Sequence, residues 1–196
     1  MAIVRVPQLG RTFIMPAEIE MFLAGIGVEY QRWTRVNPIP TTSSAIEILK
    51  AYEPELENYK ASNNFSAYDV VDLTPETPGL EDMLCQFKKE HWHSDYEAHF
   101  ILAGRGVCNV HPVGGLVVTV ELEPGDLISI GCGIRHWFDL CAEKRFRAIR
   151  FLPKAENDST AYTRSGIEAD YEPVCMGPAY FAPKGLRSMR QASNSF

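Results

Sequence analysis

In Glu90-His91-Trp92-His93-Ser94-Asp95-Tyr96-Glu97, two of the chain's five histidines and one carboxylate stand at the spacing His-x-His-x-x-x-Glu. Side chains alternate faces along a strand, so His91 and His93 project to one side and Trp92 to the other. Two imidazoles on one face can share one ion. A brief turn at Ser94-Asp95 brings Glu97 back to that face with an anionic oxygen. His136 follows 39 residues later, behind a glycine-rich turn, and can reach the same place from a neighbouring strand. The competing interpretation is a hydrogen-bonded histidine pair with an ordinary exposed carboxylate. Three imidazoles and one carboxylate suit Fe, Ni, Mn, Cu or Zn, whereas Ca²⁺ prefers oxygen ligands alone. A six-coordinate ion held by four protein groups keeps two positions for other ligands.

Outward from the octet, residues 91–152 hold five or six short runs rich in Val, Ile and Phe. They are divided by Gly104-Arg105-Gly106, Gly114-Gly115, Pro124-Gly125-Asp126 and Gly131-Cys132-Gly133. Short strands at that spacing predict a jelly roll or small barrel. Upstream, the order is mixed. Pro16 and Gly25 bracket a helix containing Ile19, Phe22 and Leu23, and a strand is expected over 28–33. Ser44 and Glu47 form a capping box that starts a helix near Ala45, which Pro54 breaks or restarts. Thr77-Pro78 opens another helix through Leu80, Met83, Leu84 and Phe87 toward Glu90. Beyond Pro153 the chain turns polar, so residues 1–155 are read as one domain and 156–196 as a tail, partly packed or mobile.

The 196 residues suffice for one domain that buries roughly 70% of its unfolded surface. A formal net charge of −6 and scattered basic residues argue against nucleic acid as a partner. The opening Met-Ala-Ile-Val-Arg-Val-Pro is not the apolar run of a secretory signal, and no segment approaches a membrane span. A cytoplasmic protein, monomeric or a small homo-oligomer, is expected. Five cysteines without a Cys-x-x-Cys pair are expected to be reduced, with Cys85 and Cys108 as buried hydrophobes and Cys132 open.

The two segments 90–104 and 125–136 resemble the paired motifs of cupins, and their detail resembles the acireductone dioxygenase family of methionine salvage. The strings that carry this are Val28-Glu29-Tyr30-Gln31-Arg32-Trp33, Phe87-Lys88-Lys89-Glu90-His91-Trp92-His93, Asp126-Leu127-Ile128-Ser129, His136-Trp137-Phe138-Asp139 and Phe146-Arg147-Ala148-Ile149-Arg150. Each is short, but their order and spacing are specific across most of residues 17–152. The resemblance implies a mainly β fold, a single cupin jelly-roll barrel with flanking helices. It also implies one divalent transition metal, Fe(II) or Ni(II), held by His91, His93, Glu97 and His136. The family's reaction is cleavage of an enediol next to a ketone by O2. With iron it yields formate and a 2-keto acid, and with nickel carbon monoxide, formate and a shorter acid. Arg150 is then a partner for an anionic substrate oxygen or else a surface ion pair. Phe87 and Phe138 are pocket walls or plain core.

Two departures from the family bear on the substrate. Where the family carries an arginine two residues after the glutamate, this chain has His99, on the same strand face as Glu97. His99 is an acid/base or hydrogen-bond donor to substrate, a partner of Glu97, or a core histidine. In place of a proline-led turn stands Gly131-Cys132-Gly133-Ile134-Arg135, where Arg135 could supply a displaced cation. The alternatives are a related cupin dioxygenase acting on another chelating thiol or enediol, and a metal-dependent isomerase or lyase that uses no oxygen.

Overall fold

The computed structural model describes residues 1–33, 40, 42–153 and 160–176. Most of residues 156–196 therefore lie outside the described residues. The chain opens with β1 (Ile3–Val6) and β2 (Arg11–Phe13), and helix α1 (Pro16–Ala24) leads into β3 (Val28–Arg32). Helices α2 (Ala45–Ala51) and α3 (Glu53–Ser62) precede β4 (Ala67–Leu73), and α4 (Leu80–Phe87) delivers the chain to β5 (His91–His93). Then come β6 (Glu97–Gly104), β7 (Gly106–His111), β8 (Val118–Leu122), β9 (Asp126–Ile130), β10 (Arg135–Leu140), β11 (Phe146–Leu152) and β12 (Thr160–Tyr162).

Local chemistry explains the helical boundaries. Pro16 occupies the first turn of α1, where a missing N–H costs nothing. At α2 the Ser44 side chain accepts from the Glu47 N–H while the Glu47 carboxylate accepts from the Ser44 N–H, so the expected capping box is present. Pro54 lies in the first turn of α3, which restarts directly after α2.

Among the described residues the strands form two antiparallel sheets, ordered β12-β5-β10-β7-β8-β1-β2 and β3-β9-β6-β11-β4. Residues 91–152 contain seven strands rather than five or six, because the first run, His91–His93, is only three residues long. Four further strands escaped the sequence, among them β2, which is only three residues long. In β1 every residue is buried, so alternation is absent, while β4 interleaves Asp69 and Asp72 with Val70 and Val71. β12 is three residues of an otherwise polar segment. The Pro124-Gly125-Asp126 turn ties the sheet edge down. Asp126, 0% exposed, accepts from Tyr30 Oη (2.7 Å), Arg32 Nη1 (2.7 Å) and the Glu123 N–H (2.9 Å). Among the described residues, no helix is long and apolar enough to cross a membrane.

The cysteines depart from expectation. Cys141 and Cys175 form a disulfide, with Cα atoms 5.8 Å apart across a separation of 34 residues. Sequence spacing hides this pair because residues 160–176 fold back over the seven-stranded sheet, bringing Cys175 to the turn that follows β10. Cys85 is exposed rather than buried. The inward stripe of α4 is carried by Leu80 and Leu84, and Cys85 lies about 100° further round the helix. Cys108 is buried and Cys132 is exposed.

Candidate metal centre

Between the sheets lies a cavity of about 270 Å³. Its wall is mostly apolar, with Val71, Met83, Phe87, Ile101, Leu122 and Phe138 drawn from both sheets and from α4. Into it project His91, Glu97, His99, His136 and Arg150.

Register puts these groups together. β10 runs antiparallel to β5 with His136 opposite His91, which sets two imidazoles side by side on adjacent strands. The glycine-rich turn before β10 secures that register. The Gly133 N–H donates to the His93 carbonyl at 2.9 Å, the Cys132 thiol lies 3.0 Å from the Ser94 carbonyl oxygen, and Gly133 itself sits at φ +74°. Glu97 opens β6 in the opposite sheet.

One ligand-capable nitrogen from each of His91, His93 and His136 lies within 4.8 Å of the other two. The Glu97 Oε2 is 3.0 Å from His136 Nε2 and 3.5 Å from His93 Nε2. The far side of each ring is occupied. Nδ1 of His91 lies 2.7 Å from the Lys89 carbonyl oxygen, Nδ1 of His136 2.9 Å from that of Ile134, and Nδ1 of His93 3.3 Å from Thr160 Oγ1. Nitrogens protonated on the outside leave lone pairs on the inside, which is what a cation requires.

Burial, helped by the neighbouring His136, pushes the His91 pKa down to about 4, so its ring is neutral at pH 7. Burial pushes Glu97 upward, but the His136 hydrogen bond and the positive potential of His99, His136 and His93 outweigh it. Its carboxyl is therefore held below the usual range. Its 30% side-chain exposure opens onto the cavity it lines. Burial and the Arg150 charge lower His99 despite the opposing pull of Glu97. Burial alone would lower His136, but its hydrogen bond to Glu97 and the Glu97 charge outweigh burial and raise its pKa. The donors, three imidazole nitrogens and one carboxylate oxygen with an open side toward the cavity, fit a divalent transition metal, which would replace the proton shared by His136 and Glu97.

His99 stands directly opposite Arg150 in the β6–β11 pairing, with Nδ1 3.7 Å from Glu97 Oε1. Arg150 is clamped by Asp69, at 3.1 Å and 2.6 Å through Nε and Nη2. Sequence reasoning misses Asp69; the alternation in Asp69-Val70-Val71-Asp72 is too irregular to announce a strand, and pairing with β11 alone makes it matter. Phe87 and Phe138 line the cavity, and Phe138 also packs 4.9 Å from Phe146. Arg135 is a correction. It neighbours His136 on β10, and strand alternation takes it off the cavity face, so it is not among the lining residues. Thr160 and Tyr162 also escaped the sequence, since nothing in a polar tail signals that it returns to β5.

The ARD/ARD' family model matches residues 19–160. An acireductone dioxygenase of Aquifex aeolicus is 35% identical over 165 residues, covering 83% of this chain and 90% of that protein. One from Bacillus cereus is 33% identical over 165 residues, covering 80% and 96%. An acireductone dioxygenase structure from Bacillus anthracis, with a cadmium ion in its active centre, superposes with a TM-score of 0.75 and 32% identity, covering 83% of this chain and 98% of its own.

Proposed function

The chain belongs to the ARD/ARD' family and is a metal-dependent dioxygenase of cupin fold, and we propose that its substrate is an acireductone cleaved by O2 to carboxylic acids. In this reading His91, His93, Glu97 and His136 hold one divalent ion, Fe(II) or Ni(II). An ion held there would supply a Lewis-acid centre that an enediol could chelate, and its identity would select the products.

The protein's own groups do the rest. Arg150, oriented by Asp69, offers a fixed cation to an anionic substrate oxygen at the cavity wall. His99, held between Glu97 and Arg150, donates or accepts a hydrogen bond at the same edge and moves a proton there. Phe87 and Phe138 shield the site from water. The observation that carries the reading is the convergence of three outward-capped histidine nitrogens within 4.8 Å of one another, with Glu97 against them, at the wall of an apolar cavity that His91, His136 and Glu97 line. The test is metal analysis of anaerobically purified protein, then oxygen uptake and product identification with acireductone after reconstitution with iron and with nickel. Formate with a 2-keto acid from the iron form, and carbon monoxide from the nickel form, is the expected result. Stoichiometric metal with no oxygen uptake would overturn the substrate assignment in favour of another chelating compound.

A further inference from the structure

We propose that Thr160 is a positioning residue for His93, and that the strap of residues 160–176 exists in part to hold it there. The inference rests on the metal-centre reading above. The three histidines are not oriented alike. His91 and His136 each turn Nδ1 to the carbonyl two residues earlier in the chain, at Lys89 and Ile134, so each has an orienting acceptor close by in sequence. His93 instead turns Nδ1 to a side-chain hydroxyl on another element, Thr160 Oγ1, at 3.3 Å. An Nδ1–H donating to that oxygen leaves Nε2 unprotonated and facing Glu97 and His136. A hydrogen bond to Thr160 therefore favours that tautomer and that ring angle.

The geometry that delivers Thr160 is built from several independent anchors. β12 pairs antiparallel with β5, placing Thr160 opposite His93 and Tyr162 opposite His91, with the Tyr162 and His91 rings 5.7 Å apart. One residue further on, the Thr163 N–H donates to the Glu90 carbonyl at 3.0 Å, and Ser165 Oγ donates to the Glu90 carboxylate at 2.7 Å. Glu90, 1% exposed, also takes a hydrogen bond from His111 at 2.5 Å, so its carboxylate is the buried centre of this knot. Tyr171 then covers Trp137 on the outer face of β10, at 5.8 Å between rings. At the far end, Arg5 donates to the Val174 carbonyl at 2.5 Å and the Met176 N–H donates to Glu121 at 2.8 Å, on either side of the disulfide. A segment anchored along this length fixes the hydroxyl at its start.

The test uses Co(II) as probe, read by its visible absorption and by competition against a chelator, together with thermal melting of the metal-free protein. Thr160→Val and Thr160→Ala should each weaken Co(II) binding about 10- to 100-fold and change the absorption bands, with the metal-free melting temperature unchanged. Thr160→Ser, which keeps the oxygen, should restore wild-type affinity and spectrum. Unchanged binding in Thr160→Val and Thr160→Ala overturns the inference, as does a Thr160→Ser variant as weak as the other two. The control is His93→Ala. If it binds Co(II) like wild type, the metal-centre reading itself fails. If it loses the metal while Thr160→Val does not, only the role of Thr160 fails.

Discussion

Glu97 has two histidine nitrogens within 3.5 Å and a third imidazole, His99, on the other side of its carboxylate. Removing it leaves three nitrogens that still converge, so Glu97→Ala should weaken metal binding less than His91→Ala or His136→Ala, which each delete a buried donor. Equilibrium dialysis against Zn(II) ranks the three. An equal loss from all of them would place Glu97 on a par with the histidines. Arg150 has a different expected signature, since it ligates nothing. Arg150→Ala should raise KM for acireductone about 10- to 100-fold with metal content intact, as for a lost hydrogen bond to a charged group. Steady-state kinetics at matched occupancy decide it, and unchanged KM would make Arg150 only the partner of Asp69. For His99, the Ala variant should lower turnover with metal retained, and His99→Arg should preserve it. Equal oxygen consumption by wild type and both variants would remove His99 from the chemistry.

At the scale of elements, the turn between β6 and β7 shows how a single missing side chain admits a neighbouring strand. Gly104 has φ +75°, and a Cβ placed there would stand 1.8 Å from the Arg145 carbonyl oxygen, so β11 approaches the turn as only a glycine permits. Further along the same pairing a bulge between Arg147 and Ala148 shifts the register, and beyond it Arg150 stands opposite His99. Gly104→Ala should therefore destabilise the fold by about 3 kcal/mol and shift the urea midpoint down accordingly. A change within ~0.5 kcal/mol would mean that the turn rebuilds without β11.

The whole molecule is closed by its strap. The Cys141–Cys175 bond spans 34 residues of chain, and on the chain-entropy account a loop of that size contributes about 4 kcal/mol. Thiol titration of the unfolded, unreduced protein should count three free groups, from Cys85, Cys108 and Cys132. Cys175→Ser should lower stability toward that amount and speed proteolysis within residues 163–176, leaving the sheets folded. Five titratable thiols, or an unchanged unfolding midpoint in the variant, would show that the bond is not made in solution.

The sequence alone determined whatever depends on near neighbours. Spacing on a strand put His91 and His93 on one face, Ser44 and Glu47 capped their helix, and the glycine-bounded apolar runs announced the jelly roll, because each is decided within a few residues by backbone geometry. Only the tertiary structure decided what depends on partners far apart in the chain. It set Asp69 against Arg150 at a separation of 81 residues, turned Arg135 off the cavity, and joined Cys141 to Cys175. It also folded a polar tail back onto β5. These pairings are settled by strand register and by closure of the chain over the sheet, which are collective properties that no local pattern of residues encodes.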